Sequence, residues 1–428
     1  MLTRTLPPLL ISAPWRARPK AALWVGSYPP RECGIATFTE DIRGAYDALT
    51  KESSDVIAVT DADKSYAYPA CVIGEIGRDH FASYAAAARL ANAHRADVIN
   101  LQHEYGLFGG ERGNMLLEFM SRVRKPIVTT LHTILPNPEP SLRHVTREIC
   151  NRSDAVIVLA EAGRRLLDQH YGIDPRRVHI VLHGVPDVPL RVSRHFKRPL
   201  GLRGKTVLST FGLLSRGKGI EYVIDALPSI FRRNPDAVYL LLGETHPGVR
   251  RHEGEAYRES LWQRVCELGM QDRVFFDDHY MSDEEVVTHL LATDVYVSPS
   301  LDPHQIVSGT LSYAVACGRA VVASASAYAR ELLGAGRGIV VPFRDAAAVA
   351  SAVNSILGDR HLRTSIELSA YRFGRQMIWP RVARAYEDAF AGAIRQQVVV
   401  REAARMPAGA GLLREALPGP RPRVTAAD

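Results

Sequence analysis

Residues 294–342 have the order and types from which an anion site is built. Val295, Tyr296 and Val297 read as a short buried strand, a polar loop with Pro299 and Pro303 follows, and Ser308-Gly309-Thr310 opens a helix with Leu311, Ala314 and Val315 on one face. Gly318 closes that helix, and residues 320–322 begin the next strand. A helix start at the carboxyl end of a parallel strand aims unpaired N–H groups outward, and a diphosphate is a natural guest there. An ordinary βαβ unit with a Ser or Thr cap has the same pattern, so the segment alone leaves both readings open.

Four other clusters carry chemistry. Tyr28 to Phe38 contains the small turn Gly34-Ile35-Ala36-Thr37, which lets backbone approach a ligand closely. It is not a Gly-x-Gly-x-x-Gly, so a nicotinamide enzyme is not indicated. His103, Glu104 and Tyr105 stand together before a Gly-rich loop, at the end of a strand pattern, a costly set to bury without use. His103-Glu104 has no partner at helical metal spacing, so no metal site is expected. Thr130-Leu131-His132-Thr133 ends another strand. Phe211 to Ile220 places Arg216 and Lys218 in one loop, and Gly243-Glu244-Thr245-His246 ends a further strand.

Parallel α/β elements must position these residues. Strand patterns fall at 23–27, 56–59, 71–76, 98–102, 127–131, 155–159 and 178–182, with helical patterns at 38–49, 80–94, 112–123 and 160–171. A Pro- and Arg-rich linker runs over 183–203. The pattern restarts with strands at 207–211, 238–242 and 274–276 and helices at 220–232, 255–268 and 283–291. A last helix begins at Trp379-Pro380, with Val382, Tyr386 and Phe390 on one face.

At 428 residues the chain is too long for one ordinary core and fits two domains. No apolar run reaches the roughly 18–20 residues that span a bilayer. The five cysteines are scattered and form no Cys-x-x-Cys pair, which predicts a reduced cytoplasmic protein without structural zinc. The formal charge is +7. Residues 1–20 hold four Arg or Lys and no acid, and residues 395–428 hold six Arg and three acids, so the body between them is neutral. That argues against a nucleic-acid partner. It leaves weak peripheral contact of the basic tails with the inner membrane face, against tails that are simply disordered.

The tail Ala314-Val315-Ala316-Cys317-Gly318-Arg319-Ala320-Val321-Val322 and the loops above resemble the retaining glycosyltransferases of family 4, which have the GT-B fold. Most members carry two Glu eight residues apart; here these positions are Gln305 and Tyr313, as in a Gln/Tyr subgroup. The resemblance implies two Rossmann-like domains facing a cleft: an acceptor-side domain over 21–190, a donor domain over 191–378, and a helix over 379–398 crossing back to the first domain. Residues 1–20 and 399–428 are expected to be disordered tails. It further implies that His132 lies under the donor sugar and that Lys218 neutralises the leaving diphosphate; the family Arg is replaced by Leu213, and Arg216 in the same loop is the candidate to substitute for it, a point the sequence leaves open. His132, Lys218 and Gln305 are the expected catalytic residues; Gly34, Arg216, Glu244, Ser308, Gly309, Thr310 and Tyr313 the expected donor-binding ones; and His103, Glu104 and Tyr105 fall on the acceptor side. The substrates implied are a nucleotide diphosphate sugar and a carbohydrate or other hydroxyl acceptor, with no cofactor. A GT-B sugar-nucleotide epimerase would use the same cleft. A non-catalytic sugar-nucleotide-binding partner is the reading from another class, prompted by the replaced Glu pair and Arg.

Overall fold

A computed structural model describes residues 21–405. The tails expected to be disordered, residues 1–20 and 399–428, lie wholly or mostly outside the described residues. The first sheet contains β1 Ala22–Gly26, β2 Asp55–Thr60, β3 Val72–Gly77, β4 Val98–His103, β5 Ile127–Leu131, β6 Ala155–Val158 and β7 Val178–Ile180, in the order β3-β2-β1-β4-β5-β6-β7. The second contains β8 Thr206–Phe211, β9 Ala237–Leu242, β10 Val274–Asp277, β11 Val295–Ser298, β12 Ala320–Ser324 and β13 Ile339–Val341, in the order β10-β9-β8-β11-β12-β13. All the ladders are parallel, with Leu23 opposite Asp55 and Ile99, and Val295 opposite Leu208 and Ala320. The apolar runs of β1, β9 and β12 follow from burial on both faces, while β4 also buries Asn100, Gln102 and His103. Strand order reverses between β1 and β4 and again between β8 and β11. Loops diverge at these two points and open a crevice at the carboxyl ends of the strands.

The two halves are joined twice at one place. Val185 donates its N–H to Met377 O (2.9 Å) and accepts from Trp379 N (3.1 Å), so the outgoing and returning chains run side by side. Gly184 is required there: a Cβ would stand 1.9 Å from the Trp379 ring. The helix Trp379–Arg405 then packs on the first sheet. Its Tyr386 and Phe390 lie 6.1 and 5.9 Å from the Trp24 ring, on the face that the apolar spacing marks. Burying each aromatic is worth about 1.5–3 kcal/mol, which holds the returning helix to the first domain.

Three sequence expectations are corrected. The helix expected over 112–123 is split, because Gly110, Arg112 and Gly113 all take positive φ; only Leu116–Arg122 is α-helical. The 183–203 linker is docked on the second domain. Ser193 Oγ donates to Asp294 Oδ1 (2.6 Å), and Lys197 pairs with the same carboxylate. A helix not expected, Pro140–Arg152, fills one side of the first sheet with Leu142, Val145, Ile149 and Cys150. Among the described residues no helix is long and apolar enough to cross a membrane.

Candidate active site

The loops at the two switch points enclose a cavity of about 580 Å³ between the domains. From the first domain it takes Gly34, Phe38, Asp41, Glu104, His132, Thr133 and, from the crossover, His183. From the second it takes Gly212, Lys218, Glu244, His246, Asp283, Gly309, Thr310 and Tyr313. Gly212 and Gly243 form its floor at φ 129 and 115, and a Cβ on Gly243 would stand 2.6 Å from Gly212 O. Only glycine lets these two strand ends approach so closely.

Lys218 is the one Lys or Arg on the cavity wall, and among the described residues no hydrogen bond or ion pair reaches its ammonium. Burial pushes its pKa down, since desolvation penalises the charged form. The start of the helix Gly309–Ala316 lies on the same wall; Ser308 Oγ accepts from Leu311 N (3.3 Å), while Gly309 and Thr310 line the cavity. An unpaired cation beside free helix-start amides is suited to a multiply charged anion.

His132 is held from beneath. Its Nε2–H donates to Gln102 Oε1 (2.7 Å), Gln102 Nε2 donates to Asn100 Oδ1 (2.6 Å), and Asn100 Nδ2 donates to Val128 O (3.1 Å). The Phe38 ring meets it edge-on at 5.0 Å. Burial, with His183 and His103 near by, lowers its pKa to about 3, so it is neutral and its Nδ1 carries the lone pair. His183 is likewise neutral, lowered to about 4 by burial. Its Nδ1–H donates to Gly184 O (2.7 Å), and Nε2 faces Gly309, where a Cβ would lie 3.1 Å away. Glu104 accepts from Thr133 Oγ1 (2.6 Å) and Tyr105 N (2.9 Å), and burial raises its pKa. Glu244 accepts from Arg250 (3.0 Å) through one oxygen, while the other is buried without a partner.

Five expected site residues do not reach the cavity. Arg216 is exposed and turned outward, donating to Glu253 Oε2 (2.9 Å) and lying over the Tyr257 ring, so Lys218 stands alone. His103 is fully buried under the loop, stacked on Phe108 at 6.0 Å, with neither ring nitrogen bonded and its pKa lowered to about 4 by burial. Tyr105 turns away to bond Thr146 Oγ1 (3.1 Å). Ser308 spends its hydroxyl on the helix cap, and half-buried Gln305 is fixed through its backbone to Tyr328 N (2.9 Å) rather than lining the wall.

The sequence reading missed a carboxylate pair. Asp41, from the helix Gly34–Thr50, and Asp283, the first residue of the helix Asp283–Ala292, face each other across the cavity within hydrogen-bonding reach. The Tyr313 hydroxyl donates to Asp283 Oδ2 (3.1 Å). Burial and mutual repulsion raise the Asp41 pKa, and burial raises that of Asp283. Neither Asp sits in a motif. His183 was within view, at the end of a strand pattern, but inside a segment read as linker. Elsewhere Glu331 bridges the domains, accepting from Glu161 N (2.8 Å) and Ala162 N (3.0 Å) at the start of the helix Glu161–Tyr171.

Residues 205–359 match the family model Glycosyl transferases group 1, and residues 45–187 match Glycosyltransferase Family 4. The chain is 26% identical over 320 residues to a D-inositol 3-phosphate glycosyltransferase of Corynebacterium kroppenstedtii, covering 71% of this chain and 69% of that one. It is 28% identical over 235 residues to a GDP-mannose-dependent alpha-(1-6)-phosphatidylinositol monomannoside mannosyltransferase of Mycolicibacterium smegmatis, covering 51% and 57%. Its fold is that of Anabaena HepE in complex with UDP and glucose, with a TM-score of 0.65 at 19% identity over 90% of this chain and 99% of that one. WaaG, a glycosyltransferase involved in lipopolysaccharide biosynthesis, gives a TM-score of 0.61 at 16% identity over 86% and 99%. Both halves of the chain carry glycosyltransferase domains, family 4 on the first sheet and group 1 on the second, and together they make a glycosyltransferase of GT-B architecture.

Proposed function

We propose that the chain transfers a hexose, mannose or glucose, from a nucleotide diphosphate sugar to a hydroxyl acceptor, with retention at the anomeric carbon and without a metal ion. The observation that carries this reading is Lys218: an unpaired, desolvated ammonium beside the free amides of Gly309 and Thr310, in a cavity between the two domains. Charge builds on the diphosphate as its bond to the sugar breaks, and a fixed cation stabilises that charge where no ion pair has to be broken first. Neutral His132, with its Nδ1 lone pair, accepts a hydrogen bond from a sugar hydroxyl and positions the ring. In a front-face substitution the leaving phosphate oxygen takes the acceptor proton as the new bond forms, so no enzyme nucleophile is needed. The relatives' names speak for a mannosyl donor and for inositol-type acceptors.

The test is a panel of GDP- and UDP-sugars, read first as thermal stabilisation and then as product with inositol phosphate and simple glycosides. A donor at 100 times its dissociation constant stabilises by about 2.7 kcal/mol. The anomeric configuration of the product decides retention, and activity after chelation decides the metal. The Asp41–Asp283 pair favours a second reading, an epimerase, because acid/base carboxylates face the same cavity. Incubating the donor alone and following its sugar by NMR separates the two: inversion at a ring carbon without acceptor supports the epimerase.

A further inference from the structure

Asp41 and Asp283 come from different domains, yet they touch. Asp283 already accepts from the Tyr313 hydroxyl, and it begins a helix whose free N–H groups favour an anion. It is therefore the acceptor, and the hydrogen between the two carboxyls must come from Asp41. Two carboxylates in contact cannot both stay ionised. The surrounding groups do not relieve this. Glu40 on the Asp41 helix adds negative charge. From the loop before Asp283, the Tyr280 hydroxyl is engaged by Thr37 Oγ1 (3.1 Å), a further bond between the domains, and His279 is held by Asp277 (2.6 Å) and Glu285 (3.3 Å). Among the described residues no Lys or Arg pairs with either carboxyl.

We propose that Asp41 and Asp283 are positioning residues that hold the domains together across the cleft through one shared proton, so that the first-domain wall faces Lys218 and the start of the Gly309–Ala316 helix only while that proton is bound. Proton loss is the whole of the step: Asp41 releases it to water, and two adjacent anions then push their helices apart. The sign follows from linkage. The closed form holds one more proton than the open form between the ordinary Asp value, about 4, and the raised one, so closure weakens as pH rises through that window and is lost above it.

The proposal rests on the donor-site reading only for its second readout. The first is the radius of gyration of the full chain by small-angle scattering from about pH 5 to about pH 10, a span that covers a raised carboxyl. Wild type is expected to expand as pH rises. Asp41→Asn keeps a donor for Asp283 that no longer titrates, and should stay compact throughout. Asp41→Ala removes both the shared proton and the repulsion, so its radius of gyration should not change with pH. A pH-independent wild type, or an Asp41→Asn variant that follows the wild-type curve, overturns the proposal. The second readout is GDP and UDP affinity over the same range, expected to fall with pH at least about threefold more in wild type than in Asp41→Asn; equal falls overturn it. If neither nucleotide binds, the donor reading fails, while the scattering series still decides the latch.

Discussion

Replacing Lys218 by Met removes the charge and keeps most of the stem. Two unit charges about 4 Å apart at an effective dielectric near 20 interact by about 4 kcal/mol. Cleavage of the sugar–phosphate bond moves about half to one charge onto the leaving oxygen, so the loss specific to the transition state is about 2–4 kcal/mol. That is roughly a 30- to 1000-fold fall in kcat, with a smaller rise in KM. The structure adds a condition that a structural lysine would not meet. Without ligand the half-buried ammonium has no partner and burial already disfavours its charge, so removing it should not lower the melting temperature. Steady-state kinetics with saturating acceptor, and melting curves with and without nucleotide, read both effects. An unchanged kcat refutes the transition-state role. A melting temperature that falls without ligand refutes the reading of Lys218 as an uncompensated charge.

His132→Ala orphans Gln102 Oε1 and should cost about 1–3 kcal/mol of stability as well as at least about tenfold in kcat/KM; a loss of stability with unchanged kinetics in the folded fraction makes His132 a core residue only. His103→Phe should leave turnover unchanged and be at least as stable at neutral pH, because it removes two buried unbonded nitrogens; a selective rise in acceptor KM would restore an acceptor-side role. Because His103 ionises near 4 when folded and near 6.5 when unfolded, the unfolded chain takes up the proton first, so stability falls as pH drops from about 6.5 to about 4. That slope, measured by urea unfolding, should be shallower in His103→Phe. Asp294→Ala leaves Lys197 buried without its carboxylate and frees Val207 N, which Asp294 Oδ2 binds at 2.7 Å; about 3–5 kcal/mol should be lost in chemical denaturation, and a loss below about 1 kcal/mol would refute its structural role.

The alternation of strands and helices was legible because parallel strands buried on both faces read as apolar runs, as in β9 and β12. The helix Pro140–Arg152 was hidden because its buried stripe mixes Leu142 and Ile149 with Thr146 and Cys150, after a run of prolines and among five charged or His side chains. That His132 and Lys218 would face a cleft was legible from strand-end context together with the family resemblance of their loops, and both line the cavity. The direction of a side chain was not legible. Arg216 and Lys218 are two residues apart on a single 3-10 turn, and one meets Glu253 in solvent while the other enters the cavity. Spacing gave them equal claims, and only the position of Glu253, 37 residues away, separates them.

Asp41 and Asp283 show the deeper limit. Each is an unremarkable acidic residue in or at the start of a helix, and a first-turn Asp is expected on capping grounds alone. They become chemistry only because two domains bring them together, 242 positions apart in the chain. Tyr313, at a position where the sequence resemblance leads to the expectation of a Glu, then takes on a physical meaning. A Glu at 313 would place a third carboxylate beside Asp283, whereas the phenol donates a hydrogen bond to it. Tyr313, Asp283 and Asp41 are thus one substitution problem and not three. Tyr313→Glu should open the cleft at neutral pH, and Tyr313→Glu combined with Asp283→Asn should close it again; a double variant as expanded in scattering as the single one would break that linkage.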